Sequence, residues 1–132
     1  VSCYDYRDGL IYITEAGEVV VVPKRLWAMG NFSKFVRPGY VRTDSSINYG
    51  KALISSYEGT NEAGKDETVV VITNTSVNSM VFDINDISGG STNVKIYVTD
   101  ENHNLEEITS SRLVDGKVAL SGQSVTTIVI EK

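Results

Sequence analysis

From residue 40 onward the sequence is a succession of short strand-forming runs separated by turn-forming residues, and this pattern restricts the fold more than any other feature. Apolar and polar residues alternate over 81–84 and 94–98, which is typical of strands with one buried face. Turn residues interrupt the runs at intervals of about 8–12 residues, as in antiparallel sandwiches and barrels. The strands expected are 40–44, 52–57, 68–74, 79–84, 94–99, 117–120 and 125–130, with a weaker one at 106–110.

The first 39 residues follow a different pattern. Two β-rich runs at 9–14 and 18–22 are separated by Glu-Ala-Gly, which predicts a short hairpin or a loop with a turn. A helix is expected over 23–36, since Pro23 suits the first helical position, and Arg-Pro-Gly at 37–39 ends it. Its apolar residues recur at helical spacing and predict one buried stripe, formed by Leu26, Met29, Phe32 and Val36. The expected fold is therefore mainly β, an antiparallel β-sandwich with one helix near the N-terminus.

Composition removes several classes of function. Cys3 is the only cysteine and His103 the only histidine, so the sequence predicts no metal site and no cofactor. Twelve basic residues are scattered among seventeen acidic ones, which argues against a nucleic-acid partner. No apolar run approaches the roughly 18 residues of a membrane span, so no membrane partner is expected.

Three segments carry a more specific pattern. Residues 24–42 read KRLWAMGNFSKFVRPGYVR, preceded by Gly-Leu-Ile at 9–11 and followed near the end by QSVTTIV at 123–129. In this order the segments resemble glycoside hydrolase family 30, with a correspondence that runs from Gly9 to the end of the chain. The helix with its Arg-Pro-Gly ending is the most specific of the three.

The resemblance implies a (β/α)8 barrel with a β-sandwich packed on its side. Residues 1–39 would then be the end of the catalytic barrel (strand, loop and helix), and 40–132 the accessory sandwich.

The family uses two glutamates in a retaining mechanism, and both are expected upstream of Val1. No residue of this chain is therefore predicted to be catalytic, and the chain alone is not expected to be an enzyme. Its expected role is structural support, together with weak sugar contact, in a secreted, extracellular glycosidase that degrades xylan or β-glucan. The expected partners are the rest of the parent barrel and plant cell-wall polysaccharide.

Tyr4, Asp5, Tyr6 and Arg7 are the candidate substrate-binding residues. On the family mapping they lie where a barrel strand opens onto the active-site face, and such side chains stack on sugars or bond to their hydroxyls. In the glucuronoxylan-cutting branch, an Arg and a Tyr before Gly-Leu-Ile contact the acidic sugar substituent. Asp5 and Asp8 occupy those positions here, and two carboxylates repel a uronate, although Arg7 is near enough to restore part of the contact after a small shift.

Two alternatives stay open at this point. The chain could be an autonomous carbohydrate-binding module, with Tyr40, Tyr49, Tyr57 and Tyr97 on a binding face, although half-buried tyrosines are ordinary in sheets. It could also be an enzyme in its own right, which is the least supported reading. A retaining glycosidase needs two carboxyls about 5 Å apart in a cleft, and the sequence indicates no such pair.

Overall fold

The computed structural model describes residues 9–43 and 50–132, with all their side chains except that of Val20. The described residues form eleven strands and three helices. In chain order these are β1 (Tyr12–Ile13), β2 (Val19–Val21), α1 (Lys24–Ser33), β3 (Val41–Thr43), β4 (Ala52–Thr60), β5 (Asp66–Asn74), β6 (Met80–Asp83), α2 (Asn85–Ser88), β7 (Val94–Thr99), β8 (Glu106–Glu107), α3 (Thr109–Arg112), β9 (Leu113–Val114), β10 (Lys117–Leu120) and β11 (Ser124–Glu131).

Six strands form one large antiparallel sheet in the order β3-β4-β5-β11-β7-β8. β11 lies at its centre, where Ile128 is paired with Val70 of β5 on one side and with Ile96 of β7 on the other. A second sheet has three strands in the order β6-β10-β9. β1 and β2 pair as a separate two-stranded hairpin, as the sequence predicts.

The hydrophobic core lies between the large sheet and the three-stranded sheet. Because side chains alternate along a strand, every second residue of the central strands faces this core. The core residues of the large sheet include Val70, Ile72, Ile96, Val98, Ile128 and Ile130. Phe82, Val118 and Leu120 meet them from the small sheet. The fold is thus the predicted antiparallel β-sandwich.

Helix α1 covers the outer face of the large sheet, across β7 and β11. It runs from Lys24 to Ser33 with Pro23 at its N-cap, and so ends three residues earlier than predicted. The reason is local: the amide of Phe35 donates to the carbonyl of Phe32, three residues earlier, and such a bond tightens the last turn out of the α-helix.

The buried stripe predicted for this helix is wrong. Met29 is 51% exposed and Phe32 36% exposed, whereas Asn31 is fully buried. Asn31 lies about half a turn from Met29 around the helix axis, so the helix presents its most regular apolar stripe away from the sheet. Leu26 and Val36 are half-buried, so the prediction of one buried stripe fails at Met29 and Phe32.

Most predicted strands are present within one to three residues of their expected bounds, and 94–99 and 117–120 match in full. The weak strand at 106–110 is only partly right, because it ends after Glu107 and the chain then turns into α3. The division at residue 39 into barrel and sandwich segments stays a prediction.

Candidate functional site

The four residues predicted to bind substrate, Tyr4, Asp5, Tyr6 and Arg7, lie outside the described residues, as does Tyr49. Their role therefore stays a prediction. The described residues contribute three other features that bear on function: the polar junction under α1, the apolar surface outside it, and an open cleft at its end.

The junction between α1 and the sheet is built on one amide. Asn31 Nδ2 donates to Thr127 Oγ1 at 2.9 Å, and Asn31 Oδ1 accepts from Thr99 Oγ1 at 2.7 Å. The same Nδ2 lies 3.3 Å from the carbonyl of Val125 and 3.4 Å from that of Tyr97. Thr127 Oγ1 donates back to the carbonyl of Asn31 at 2.7 Å. This network is fully buried and fixes the position of the helix on β7 and β11.

Apolar side chains remain uncovered on the outside of α1 and on the β1–β2 hairpin before it. The exposed large apolar residues here are Ile11, Ile13, Val19, Val21, Val22, Met29 and Phe32. Single exposed apolar residues are ordinary on a surface, but seven of them within 22 residues are typical of a contact surface.

An open cleft of about 700 Å³ lies between the end of α1 and the outer face of the large sheet. Tyr97 and Val129 lie along its sheet side, Phe35 comes from the helix end, and the β4–β5 loop contributes Asn61. Tyr40 packs flat against Gly59 of β4, where an added Cβ would overlap the tyrosine ring. Glycine at this position therefore allows the ring to reach the cleft.

Two carboxylates face each other at one end of the cleft. Glu67 and Glu131 are direct cross-strand partners in β5 and β11. The Tyr40 hydroxyl donates to Glu67 Oε1 at 2.6 Å, and Asn61 Nδ2 lies 3.2 Å from an oxygen of each carboxylate. Asn93 Nδ2 donates to Glu131 Oε1 at 2.9 Å. Burial, together with the hydrogen bond to Glu67 and the charges nearby, raises the pKa of Tyr40 to about 12, so the phenol remains a donor.

The other end of the cleft is aromatic. The rings of Phe35 and Tyr97 are 4.4 Å apart between centroids, at 41° to one another. Lys34 Nζ lies 5.6 Å from the Phe35 centroid and 5.5 Å from that of Tyr97. Burial raises the pKa of Tyr97, and the charge of Glu107 and a hydrogen bond to it act in the same direction.

A second polar cluster surrounds the buried Asp100. Its Oδ1 accepts from His103 Nδ1 at 2.7 Å and its Oδ2 from Ser121 Oγ at 2.8 Å. Burial raises the pKa of Asp100, but the hydrogen bonds from Ser121, His103 and the Asn102 amide and the charge of His103 outweigh it, so the pKa is lowered. Serine and histidine both bond to the carboxylate rather than to each other. The cluster therefore holds loops together and is not arranged as a nucleophile with its base.

Within residues 9–43 and 50–132, no three His, Cys, Asp or Glu side chains are grouped so as to hold a metal ion. In the same ranges no helix is long and apolar enough to cross a membrane.

Three comparisons relate this chain to known proteins. It is 35% identical over 117 residues to a glucuronoxylanase, XynC, of Bacillus subtilis, covering 85% of this chain and 26% of that protein. The structure matches a GH30 endoxylanase from Clostridium papyrosolvens with a TM-score of 0.66 and 31% identity, over 84% of this chain and 28% of the other. It matches the catalytic domain of GH30 xylanase C from Talaromyces cellulolyticus with a TM-score of 0.75 and 26% identity, over 94% and 27%.

The extent of these matches is as informative as their identity. The chain spans about a quarter of the length of the curated relatives it matches. No family model matches it.

Proposed function

We propose that this chain is the accessory β-sandwich region of a retaining, xylan-degrading enzyme. The premise is that the chain belongs to glycoside hydrolase family 30 and is homologous to a part of its xylanases. In this role it supports the catalytic barrel and performs no catalysis by itself. We also propose that the enzyme is extracellular, because its polymeric substrate lies outside the cell.

The observation that carries the proposal is the orientation of α1. A surface helix normally turns its apolar stripe toward the core and its polar side toward water. Here the buried side is held by Asn31, Met29 and Phe32 are exposed on the helix, and the hairpin that precedes it in the chain also exposes apolar residues. A helix with contacts on both sides is expected between a sandwich and a barrel, and the outer stripe is the surface that the barrel would cover.

The carboxylates of the described residues do not suit retaining hydrolysis. Such an enzyme needs one protonated acid and one ionised nucleophile. Glu67 and Glu131 face each other, but each accepts hydrogen bonds on both oxygens. Both oxygens of each carboxylate are therefore already engaged by neighbouring donors, and neither is placed to protonate a leaving group.

A chimera tests the supporting role. The homologous segment of the Bacillus subtilis glucuronoxylanase is replaced by this chain, and folding and glucuronoxylan hydrolysis are measured. We expect an active chimera. Phe32→Ser should destabilise the chimera by about 3 kcal/mol, because it removes a ring buried at the interface. In the isolated chain, where Phe32 is already 36% exposed, the same substitution should cost clearly less, about 1–2 kcal/mol, and should reduce self-association in sedimentation velocity.

Val77→Ser is the matched control, because Val77 is 75% exposed and lies in the β5–β6 turn, far from the helix in sequence. It should be neutral in both proteins. Equal effects of Phe32→Ser in the isolated chain and in the chimera would contradict a barrel contact at this stripe.

The isolated chain is assayed separately on xylan, β-glucan and aryl glycosides. No hydrolysis above a buffer blank is expected. Turnover that survives repurification and disappears when Glu67 or Glu131 is changed to Gln would overturn the non-catalytic role.

A further inference from the structure

The open cleft at the end of α1 has the composition of a sugar site, and we propose that it binds a neutral chain of linked pyranose rings. The inference deepens the accessory role proposed above and rests on it for the kind of polymer, xylan. Its volume of about 700 Å³ lies within the range of small-molecule sites, about 300–1,000 Å³.

The charges around the cleft are balanced. The whole chain carries a net charge of −5, yet three basic and three acidic side chains line the cleft: Lys34, Arg37 and Lys95, with Glu62, Glu67 and Glu131. Without an excess of either sign, the cleft has no electrostatic preference for an ionic ligand. It offers donors and acceptors side by side, which is what hydroxyl groups require, since each hydroxyl both donates and accepts.

The carboxylates of Glu67 and Glu131 are held in place by neighbouring donors and can accept further hydrogen bonds. Glu67 and Glu131 each accept two hydrogen bonds from neighbouring side chains, whereas a carboxylate has about four lone-pair sites. Tyr40, Asn61 and Asn93 therefore fix the carboxylates without saturating them. Opposed like charges on paired strands repel each other, and Lys65 Nζ, 4.0 Å from Glu131 Oε1, offsets only part of this repulsion because Lys65 is largely exposed. A ligand that bonds to both carboxylates gives the arrangement a function.

The aromatic end supplies an apolar surface. The tilted rings of Phe35 and Tyr97, with Val129 beside them, lie next to Lys34 and Lys95. A pyranose ring carries C–H groups on its faces and hydroxyls around its rim. The faces can rest on the aromatic side chains while the rim reaches the lysines at one end and the carboxylates at the other.

The test is a titration of the ¹⁵N-labelled chain with xylohexaose, followed by amide chemical shifts. We expect saturable shifts around the cleft with a Kd of about 1 mM or tighter. Tyr97→Ala should weaken binding by about tenfold or more, the equivalent of about 1.4 kcal/mol. Tyr57→Ala is the matched control, because Tyr57 is also half-buried on the outer face of the large sheet but does not line the cleft. It should bind as the unmodified chain does.

Glu131→Gln separates a ligand site from a structural network. The substitution keeps the shape and removes one of two opposed charges, so it should weaken binding by about tenfold while leaving the urea midpoint unchanged or higher. A lower midpoint with unchanged binding would assign the carboxylates to structure alone and overturn the site.

Two further outcomes would overturn the proposal. One is a titration in which the amides around the cleft do not shift at xylohexaose concentrations up to about 10 mM. Equal binding by the Tyr97→Ala variant and the unmodified chain counts in the same way. The other is binding by the isolated chain that is lost in the chimera, because the rest of the enzyme would then cover the cleft. Neither result affects the folding and activity of the chimera, so the accessory role succeeds or fails separately.

Discussion

Replacing Asn31 by Ala should separate α1 from the sandwich more effectively than any apolar truncation in the helix. The change removes the acceptor of the Thr99 hydroxyl and the donor to Thr127 Oγ1. Thr99 as a residue is only 5% exposed. Thr127 keeps its bond to the Asn31 carbonyl, so Thr99 bears most of the loss. The contacts to the Val125 and Tyr97 carbonyls are long and contribute less.

The magnitude follows from the groups left without partners. Each buried polar group that loses its hydrogen bond costs about 1–3 kcal/mol. Thr99 Oγ1 still accepts from the Leu105 amide at 3.0 Å, so only the hydroxyl proton loses its partner. Together with the weakened carbonyl contacts, the expected loss is about 2 kcal/mol, which is about 8 °C in Tm for a domain of this size. Trp27, the only tryptophan, lies on α1 one turn before Asn31, so its fluorescence reports the helix while circular dichroism reports the sheets.

Urea unfolding followed by both probes is the assay. In the Asn31→Ala variant, the fluorescence transition should move to lower urea and precede the dichroism transition. Thr99→Val removes the hydroxyl that Asn31 satisfies, so the double variant should lose at least about 1 kcal/mol less than the sum of the single losses. The exposed Asn78→Ala is the control and should be neutral. A cost below about 1 kcal/mol for Asn31→Ala, or additive single effects, would refute the reasoning.

Three further outcomes are expected. Thr126→Val should raise the free energy of unfolding by about 1 kcal/mol, measured by urea titration, because the buried Thr126 hydroxyl has no partner among the described residues. Because the pKa of Asp100 is lowered in the folded protein, its carboxylate stabilises the fold at pH values above 3.8, the ordinary pKa of Asp, and this stability is lost as the pH falls through the folded pKa. Asp100→Asn should therefore flatten the loss of stability below about pH 4. Because the pKa of Tyr40 is raised to about 12, its protonated phenol stabilises the fold below pH 10, and this stability is lost as the pH rises toward 12. Tyr40→Phe should remove this alkaline loss, measured as Tm against pH.

The strands of the sandwich could be predicted from the sequence because their signals are local. In 94–99 and 117–120, alternating side chains and flanking turn residues specify both the strand and its ends. The weak strand at 106–110 failed for a reason that alternation does not encode. The hydroxyl of Thr109 accepts from the amide of Ile96, replacing a backbone acceptor, and the chain turns into α3 beyond it.

The candidate site was harder to predict because it depends on contacts between distant segments. Asn31 is one of four polar residues in α1, and its role appears only when Thr99 and Thr127 are placed under it. Glu67 and Glu131 are 64 positions apart in the sequence and meet through the register of β5 and β11. The only available signal was that Glu67 directly precedes the predicted strand 68–74 and Glu131 directly follows the predicted strand 125–130, and strand register cannot be read from one sequence.

The central position of β11 has a consequence for synthesis. Every other strand of the large sheet comes earlier in the sequence, and β5 and β7 do not pair with each other. Until residues 124–131 leave the ribosome, the nascent chain can form β3-β4-β5 and β7-β8 only as separate ribbons, each with apolar residues facing water. Closing the sheet then requires contacts across more than 50 residues, from β5 to β11, which slows folding through the entropy of loop closure. A chain that ends at residue 123 should therefore be bound by a chaperone that recognises apolar surface, and the folded chain of residues 1–132 should not.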